Sequence, residues 1–158
     1  MTKKFNLYIG KAGHLTVMSE FLMRGWNVAI PEVDIGDDIF VVQDEIGTLN
    51  RVQVKTATAI IKTSGFSAKF NLSIKQLEKT TDIFIQYVFI VRYNGKWTTP
   101  LIIRQDILLN HFQINNLGSK HDGSLILHFS YSENKVECSG QDFTKYIADY
   151  TDFPIIEH

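Results

Sequence analysis

The spacing of apolar residues near the start of the chain predicts a helix. Four of them recur at helical spacing, and glycine follows them at position 25, where it is suited to end a helix. The helix is therefore expected over residues 12–24. The residues that form its apolar stripe are Leu15, Met18, Phe21 and Leu22.

Short apolar runs bounded by turn residues predict three strands after this helix. They lie within residues 26–31, 38–43 and 51–58, and residues 44–50 are expected to turn between the last two. The segment 61–70 is polar and contains glycine, which predicts a mobile loop.

The second half of the chain mixes strands and helices. Ser73 is suited to cap a short helix over 73–81, and the apolar run 82–93 is typical of a central strand buried on both faces. Asn94-Gly95 predicts a tight turn into a returning strand within 96–104. The remaining expected elements are a helix over 104–113, a strand pair within 124–139 and a helix over 140–150. The order predicts an α/β fold with a mixed central sheet flanked by helices.

Composition narrows the class of protein. A chain of 158 residues that is 44% hydrophobic is long enough for one well-packed core, so a single domain over residues 1–158 is expected. One cysteine excludes an intrachain disulfide, and neither a signal peptide nor a membrane span is apparent, which favours a cytoplasmic protein. The net charge of −1 means that binding to a polyanion would depend on a local patch.

The third strand carries two polar side chains on one face. Side chains alternate along a strand, so Gln53 and Lys55 share a side. A hairpin closed around residues 43–50 would pair Phe40 with Gln53 and Asp38 with Lys55. A carboxylate, an amide oxygen and an ammonium would then converge, which suits a divalent metal ion and a phosphate.

These residues resemble a known motif. The order of a helix, "PEVDIGDDIFVV" and then "VQVKT" resembles the PD-(D/E)XK nuclease superfamily, whose fold is shared by restriction endonucleases and archaeal Holliday-junction resolvases. The likeness is to the variant with glutamine at the acid position. Asp38 matches the motif aspartate, Gln53 the acid position and Lys55 the lysine. The resemblance covers residues 10–58 and implies a restriction-endonuclease-like core.

The resemblance implies hydrolysis of a phosphodiester in DNA, assisted by Mg²⁺ or Mn²⁺. Asp38, the amide oxygen of Gln53 and the main-chain carbonyl of Val54 would hold the metal, and Lys55 would orient the attacking water. Asp34 is a second carboxylate ligand in this interpretation, although aspartate beside glycine more often caps backbone amides. Asp37 is expected to face solvent.

The first helix departs from the family pattern. The position at which the family usually carries glutamate holds His14, which cannot supply the negative charge that holds magnesium. His14 is therefore either a member of the catalytic site or a partly buried structural residue. Glu20 is the alternative acid, but it lies roughly 240° around the helix from His14 and is expected to be a solvated surface charge.

Three lysines are candidates for contact with a nucleic acid. Lys11 lies between Gly10 and Gly13, where a phosphate could approach the helix, and Lys62 and Lys69 lie in the polar segment among hydroxyl and aromatic side chains. The alternative for that segment is a merely solvated loop.

Two questions stay open at the level of sequence. The replaced acids leave the alternative that a nuclease-like fold has lost catalysis and serves as a nucleic-acid-binding or assembly module, with a homodimer formed through the aromatic strand around Phe84, Tyr87 and Phe89. The choice between DNA and RNA is equally undecided.

Overall fold

The first helix, α1, spans Lys3–Met23 in the computed structural model, which describes residues 2–158. It begins well before residue 12, because the Thr2 hydroxyl accepts the main-chain N–H of Phe5 and caps the first turn. It ends as predicted beside Gly25, whose φ of +85° takes the chain out of the helix. No helix among the described residues is long and apolar enough to cross a membrane.

The remaining elements alternate between strands and short helices. Two helices follow α1, namely α2 over Ile74–Leu77 and α3 over Gln105–Asn115. The strands in chain order are β1 Asn27–Ala29, β2 Ile39–Gln43, β3 Thr48–Thr58, β4 Ile60–Ile61, β5 Phe66–Ser73, β6 Ile85–Tyr93, β7 Lys96–Trp97, β8 Leu101–Arg104, β9 Ser119–His121, β10 Ser124–Ser132, β11 Lys135–Cys138 and β12 Gln141–Asp142.

The central sheet is mixed and confirms the expected fold class. Its order is β1-β2-β3-β6-β7, with β8 also paired to β6, and β3 and β6 run parallel while the other pairs are antiparallel. Strand β6 is central, and its residues from Ile85 to Val91 are buried on both faces, as predicted. Because β6 has neighbours on both edges and cover on both faces, the idea of a homodimer through this strand is wrong.

A second sheet covers one face of the central sheet. Its order is β12-β11-β10-β5-β4, with β9 paired to β10. The mobile loop expected over 61–70 is therefore wrong, because Ala68 and Phe70 are buried and alternate with exposed Lys69 along β5. The helix expected over 140–150 is also wrong, since that segment forms β12 and a 3₁₀ turn, Thr144–Tyr146.

Two apolar clusters lie on the two sides of the central sheet. Between the sheets, Tyr87 and Phe89 of β6 pack with Phe70 of β5. On the other side, Val17 and Phe21 of α1 pack against the opposite face of the central sheet. Leu15 and Leu22 belong to neither cluster and are each 52% exposed, whereas Phe21 is buried and Met18 packs against the cluster, so half of the apolar stripe predicted for the helix faces the sheet.

The hairpin of β2 and β3 has a different register from the one predicted. Ile39 pairs with Val52 and Phe40 with Arg51, because only residues 44–47 connect the two strands. The predicted pairing of Phe40 with Gln53 is therefore wrong by two positions. Continuing the observed register by one residue sets Asp38 beside Gln53 rather than beside Lys55.

Glycine allows α1 to approach β3 closely. A Cβ on Gly13 would overlap the methyl group of Thr56 and lie 3.1 Å from the Trp97 ring, whereas a Cβ on Gly10 would meet nothing nearer than the Thr56 hydroxyl at 3.8 Å. The helix can therefore lie against the strand that carries Gln53 and Lys55 only if position 13 has no side chain.

These two glycines give a matched test of the helix position. Gly10→Ala should raise the free energy of unfolding by about 0.5–1 kcal/mol, because alanine is the better helix former and has room. Gly13→Ala should lower it, because the helix must move away from β3. Urea unfolding of both variants measures the difference, and equal stabilisation by both would contradict this packing of α1.

Candidate active site

Asp38 is fixed at the edge of β3 by two hydrogen bonds. Its main-chain N–H donates to the carbonyl of Val52 at 2.9 Å, and its Oδ2 accepts the main-chain N–H of Val54 at 2.7 Å. Strand β2 begins only at the next residue, so β3 has no paired strand on this side beyond Val52. The carboxylate thus occupies the place along β3 where another strand residue would have bonded.

The carbonyl of Val54 points to the same edge. Within a strand, the N–H and the C=O of one residue are directed to the same side. Because the N–H of Val54 donates to the Asp38 carboxylate, its carbonyl oxygen is directed to the same opening. An anionic oxygen and a main-chain oxygen are therefore neighbours here.

Gln53 contributes a buried amide oxygen. Its side chain is 7% exposed, and its Oε1 has no hydrogen-bond partner among the described residues. The hydroxyl of Tyr87, which lies opposite Gln53 on β6, is likewise buried without a partner. A buried polar atom without a partner is costly, so these atoms suit a group that would supply one. Nothing in the sequence pattern marked Tyr87 as other than a core residue.

Lys55 brings a cation to this group of oxygens. It is partly buried, and burial lowers the pKa of its ammonium, while the charges of Asp38 and Asp34 act in the opposite direction. Burial likewise raises the pKa of Asp38, against the Val54 N–H, His14 and Lys55. Asp38 is therefore near both Lys55 and His14, whose charges act on its carboxylate.

His14 faces the same neighbourhood from α1. Burial lowers the pKa of its imidazole, and the carboxylate and main-chain carbonyl of Asp38 oppose that shift. Its Nε2 is buried without a partner. Since the ordinary pKa is 6.5, the ring is neutral at pH 7. Glu20 is exposed, as expected for a surface charge.

The two other aspartates of the loop have separate roles. Asp34 is exposed, and its Oδ1 accepts the N–H of Gly36 at 3.0 Å, which is the capping role that aspartate often has beside glycine. Asp37 is not solvent-facing, contrary to expectation. Its carboxylate is 1% exposed and forms a two-pronged ion pair with Arg51, at 2.8 and 2.9 Å. The pair occupies both oxygens of Asp37, which leaves Asp38 as the free carboxylate of the strand edge.

The donor set suits a hard cation only in part. Within residues 2–158, no group of three or more histidine, cysteine, aspartate or glutamate side chains is placed to hold a metal ion. The expected ligands include just two carboxylates, those of Asp38 and Asp34, together with an amide and a main-chain oxygen. The unpartnered Oε1 of Gln53 fits such a ligand, since hard cations take neutral oxygens.

The three candidate lysines are all exposed. Lys11 lies on α1 near enough for its charge to act on His14, and Lys62 lies at the turn between β4 and β5. Lys69 lines a cavity of about 290 Å³ that is also lined by Thr56, the neighbour of Lys55 in the chain. The other residues of this cavity, none of them marked by the sequence pattern, are Asn6, Ile9, Thr56, Ala57, Thr58 and Ile60.

Comparison with known proteins identifies a fold. No protein-family model matches the sequence, and no curated protein matches it. Among solved structures, the chain is similar to the bacterial homing endonuclease I-Ssp6803I, with a TM-score of 0.59 and 16% sequence identity over 95% of this chain and 89% of that one. At this identity the likeness shows the fold alone, which is a mixed α/β fold similar to that of a nuclease.

The adjacent aspartates should respond in opposite ways to loss of charge. Asp37→Asn should lower the free energy of unfolding by about 3–5 kcal/mol, because it leaves the partly buried Arg51 without its anion. Asp38→Asn should leave stability unchanged or raise it, because its amide oxygen can still accept the Val54 N–H while a poorly solvated charge is removed. Urea unfolding at pH 7 compares them, and a similar loss for both would show that Asp38 is a structural anion.

Proposed function

We propose that this chain is a metal-dependent endonuclease that hydrolyses phosphodiester bonds in DNA. The observation that carries the proposal is the Asp38 carboxylate, bonded to the Val54 N–H at the open edge of β3 with Lys55 in the same strand. An anion, neutral oxygens and a cation at one strand edge are the groups that phosphoryl chemistry uses. In this proposal the chain is a PD-(D/E)XK protein of the glutamine-x-lysine type.

The metal would be Mg²⁺ or Mn²⁺, held by Asp38, the Gln53 Oε1 and the Val54 carbonyl, with Asp34 as a further carboxylate. A divalent ion at this place polarises the phosphate and lowers the pKa of a bound water. The Val54 N–H keeps the Asp38 carboxylate in position before any ion arrives, so the chain need not rearrange to bind one.

Lys55 and His14 act on the reacting groups directly. The Lys55 Nζ donates hydrogen bonds to the attacking water and to the phosphate oxygen that gains negative charge. The neutral imidazole of His14 has an unpartnered Nε2 and positions a water or a phosphate in the place where the family usually has an acid. Lys11, Lys62 and Lys69 bind the phosphate backbone on either side.

DNA as the substrate rests on two supports. The similar solved structure is described as a homing endonuclease, and endonucleases of that kind act on nucleic acid. Lys69 also borders a cavity next to the strand of Lys55. A neighbouring phosphate of the same DNA strand could lie in this cavity and contact the Lys69 ammonium.

A specific observation favours a second candidate function. Asp37 is paired with Arg51, and Gln53 and His14 occupy positions at which the family usually has acids. Asp38 is therefore the one partly buried carboxylate at the strand edge. Such a site would hold a divalent ion weakly. The same fold would then bind nucleic acid as a module without cleaving it.

Cleavage by Lys55 variants tests the catalytic proposal. The unaltered chain should nick supercoiled plasmid with Mg²⁺ or Mn²⁺, and Lys55→Ala should slow nicking at least about 100-fold, because a donor to the developing charge is lost. Lys96→Ala, at the exposed first residue of β7, is the matched control and should nick at the original rate. Nicking by Lys55→Ala at the original rate would rule out the role given to this residue.

Calorimetric titration separates the two candidate functions. Mn²⁺ should bind the unaltered chain and should not bind Asp38→Asn measurably, because the anionic ligand is gone. Asp82→Asn removes an exposed carboxylate elsewhere and should bind as before. Tight binding of duplex DNA in EDTA, with no heat from Mn²⁺ and no nicking, would instead establish the binding module.

A further inference from the structure

The outward face of α1 is rich in apolar side chains that are half or more exposed. One side of the helix, with Gly13, Val17 and Phe21, is buried against the central sheet. The opposite side carries exposed residues at intervals of three, four, three, four and three, and several are large and apolar, with Tyr8 65% and Leu15 and Leu22 each 52% exposed. This outer stripe consists of Phe5, Tyr8, Ala12, Leu15, Ser19 and Leu22.

Alternating intervals of three and four are the pattern of a coiled-coil seam. A helix that lies on a single domain normally presents polar residues to solvent, so an apolar stripe opposite the buried one indicates a second packing partner. The helix has 21 residues and is about 31 Å long, which is enough to form a continuous seam.

We propose that the outer stripe of α1 packs against the outer stripe of a second copy of this chain, with the two helices antiparallel. About five turns of alternating spacing on each helix, from residue 5 to residue 22, then interlock about a two-fold axis level with residues 13 and 14. This interface is independent of whether the chain cleaves DNA.

The sizes of the side chains favour a second copy in this orientation. In an antiparallel pair centred on the helix, Tyr8 of each copy lies opposite Ser19 and Leu15 lies opposite Ala12, so that in the middle of the stripe a large residue meets a small one. At the two ends, Phe5 of one copy meets Leu22 of the other in an apolar contact. A parallel pair would place Ala12 against Ala12, which leaves a gap, and Leu15 against Leu15, which crowds the interface. The middle of the stripe is therefore better complemented in the antiparallel direction.

The charges of the helix favour the same direction. Lys3, Lys4 and Lys11 all lie in the first half of α1, whereas the second half has Glu20 as its single charged residue. Arg24, which follows the helix, is bonded to the carbonyl of Phe153. A parallel pair would bring six lysines together. The antiparallel pair sets the lysines of each copy beside the half of the other that has no lysine, and it aligns the helix dipoles favourably.

The interface leaves the candidate active site accessible. His14 is offset by about 100° around the helix from Leu15, so it does not belong to the outer stripe. Each copy keeps its strand edge open, and the two-fold axis relates the two sites.

The mass in solution tests the interface. Light scattering during gel filtration should give twice the chain mass of 18.1 kDa for the unaltered chain and 18.1 kDa for Leu15→Glu/Leu22→Glu. Leu7→Glu is the matched control, because Leu7 is exposed on the same helix but lies off the outer stripe, and it should remain dimeric. Circular dichroism and thermal melting of each variant show whether the fold is kept.

Cysteine pairs test the orientation. An oxidised mixture of Tyr8→Cys and Ser19→Cys chains should form the mixed disulfide, and Ser19→Cys alone should form none, because antiparallel helices hold these positions far apart. A monomeric unaltered chain, a folded Leu15→Glu/Leu22→Glu dimer, or efficient Ser19–Ser19 cross-linking would each overturn the proposal. Sedimentation of a monomeric chain with phosphatidylglycerol vesicles would overturn it too, and would assign the stripe to a lipid surface.

Discussion

The candidate site depends on where β2 begins. Strand pairing between β2 and β3 starts at Ile39 and Val52, so the next N–H along that edge of β3, from Val54, has no strand partner. The Asp38 carboxylate takes that N–H instead at 2.7 Å. One bond therefore satisfies the backbone, fixes the anion and leaves the neighbouring carbonyl free. If β2 extended by two residues, strand pairing would take up the N–H and carbonyl of Val54. The edge would then present neither the fixed carboxylate nor the free carbonyl.

The electrostatics of the site follow from the separation of two neighbouring aspartates. Asp37 is paired with Arg51 and contributes to folding, while Asp38 has a raised pKa because burial is only partly offset by its neighbours. Lys55 has a lowered pKa for the same reason. Groups that are poorly solvated and incompletely paired reduce stability, and they are typical of places where a ligand completes the set.

Local sequence patterns predicted the strands and helices more accurately than they predicted the contacts between them. Alternation along residues 51–58 predicted that Gln53 and Lys55 share a face, and the run 82–93 predicted a central strand, because both signals lie within one element. The hairpin register was predicted wrongly because it depends on the length of the turn, which is residues 44–47. The ion pair of Asp37 with Arg51 was missed because it depends on that register. The strand at 66–73 was missed because lysine, asparagine and serine on its outer face hid the alternation of Ala68, Phe70 and Leu72. The face of α1 that meets the sheet was predicted only in part, with Phe21 and Met18 but not Leu15 and Leu22 in contact, because both faces of the helix carry apolar residues.

The short passage between the two sheets has a mechanical consequence. Only Ala59 separates the end of β3 in the central sheet from β4 in the second sheet, and its N–H is bonded to the carbonyl of Arg92 at 2.9 Å. The strand of Lys55 and the hairpin of Lys69 are therefore joined by a single hydrogen-bonded residue, which leaves little freedom for one to move relative to the other. Any ligand that spans both ammonium groups meets a preset spacing, so the adjustment on binding must come from the ligand, by bending or twisting, rather than from the protein closing around it.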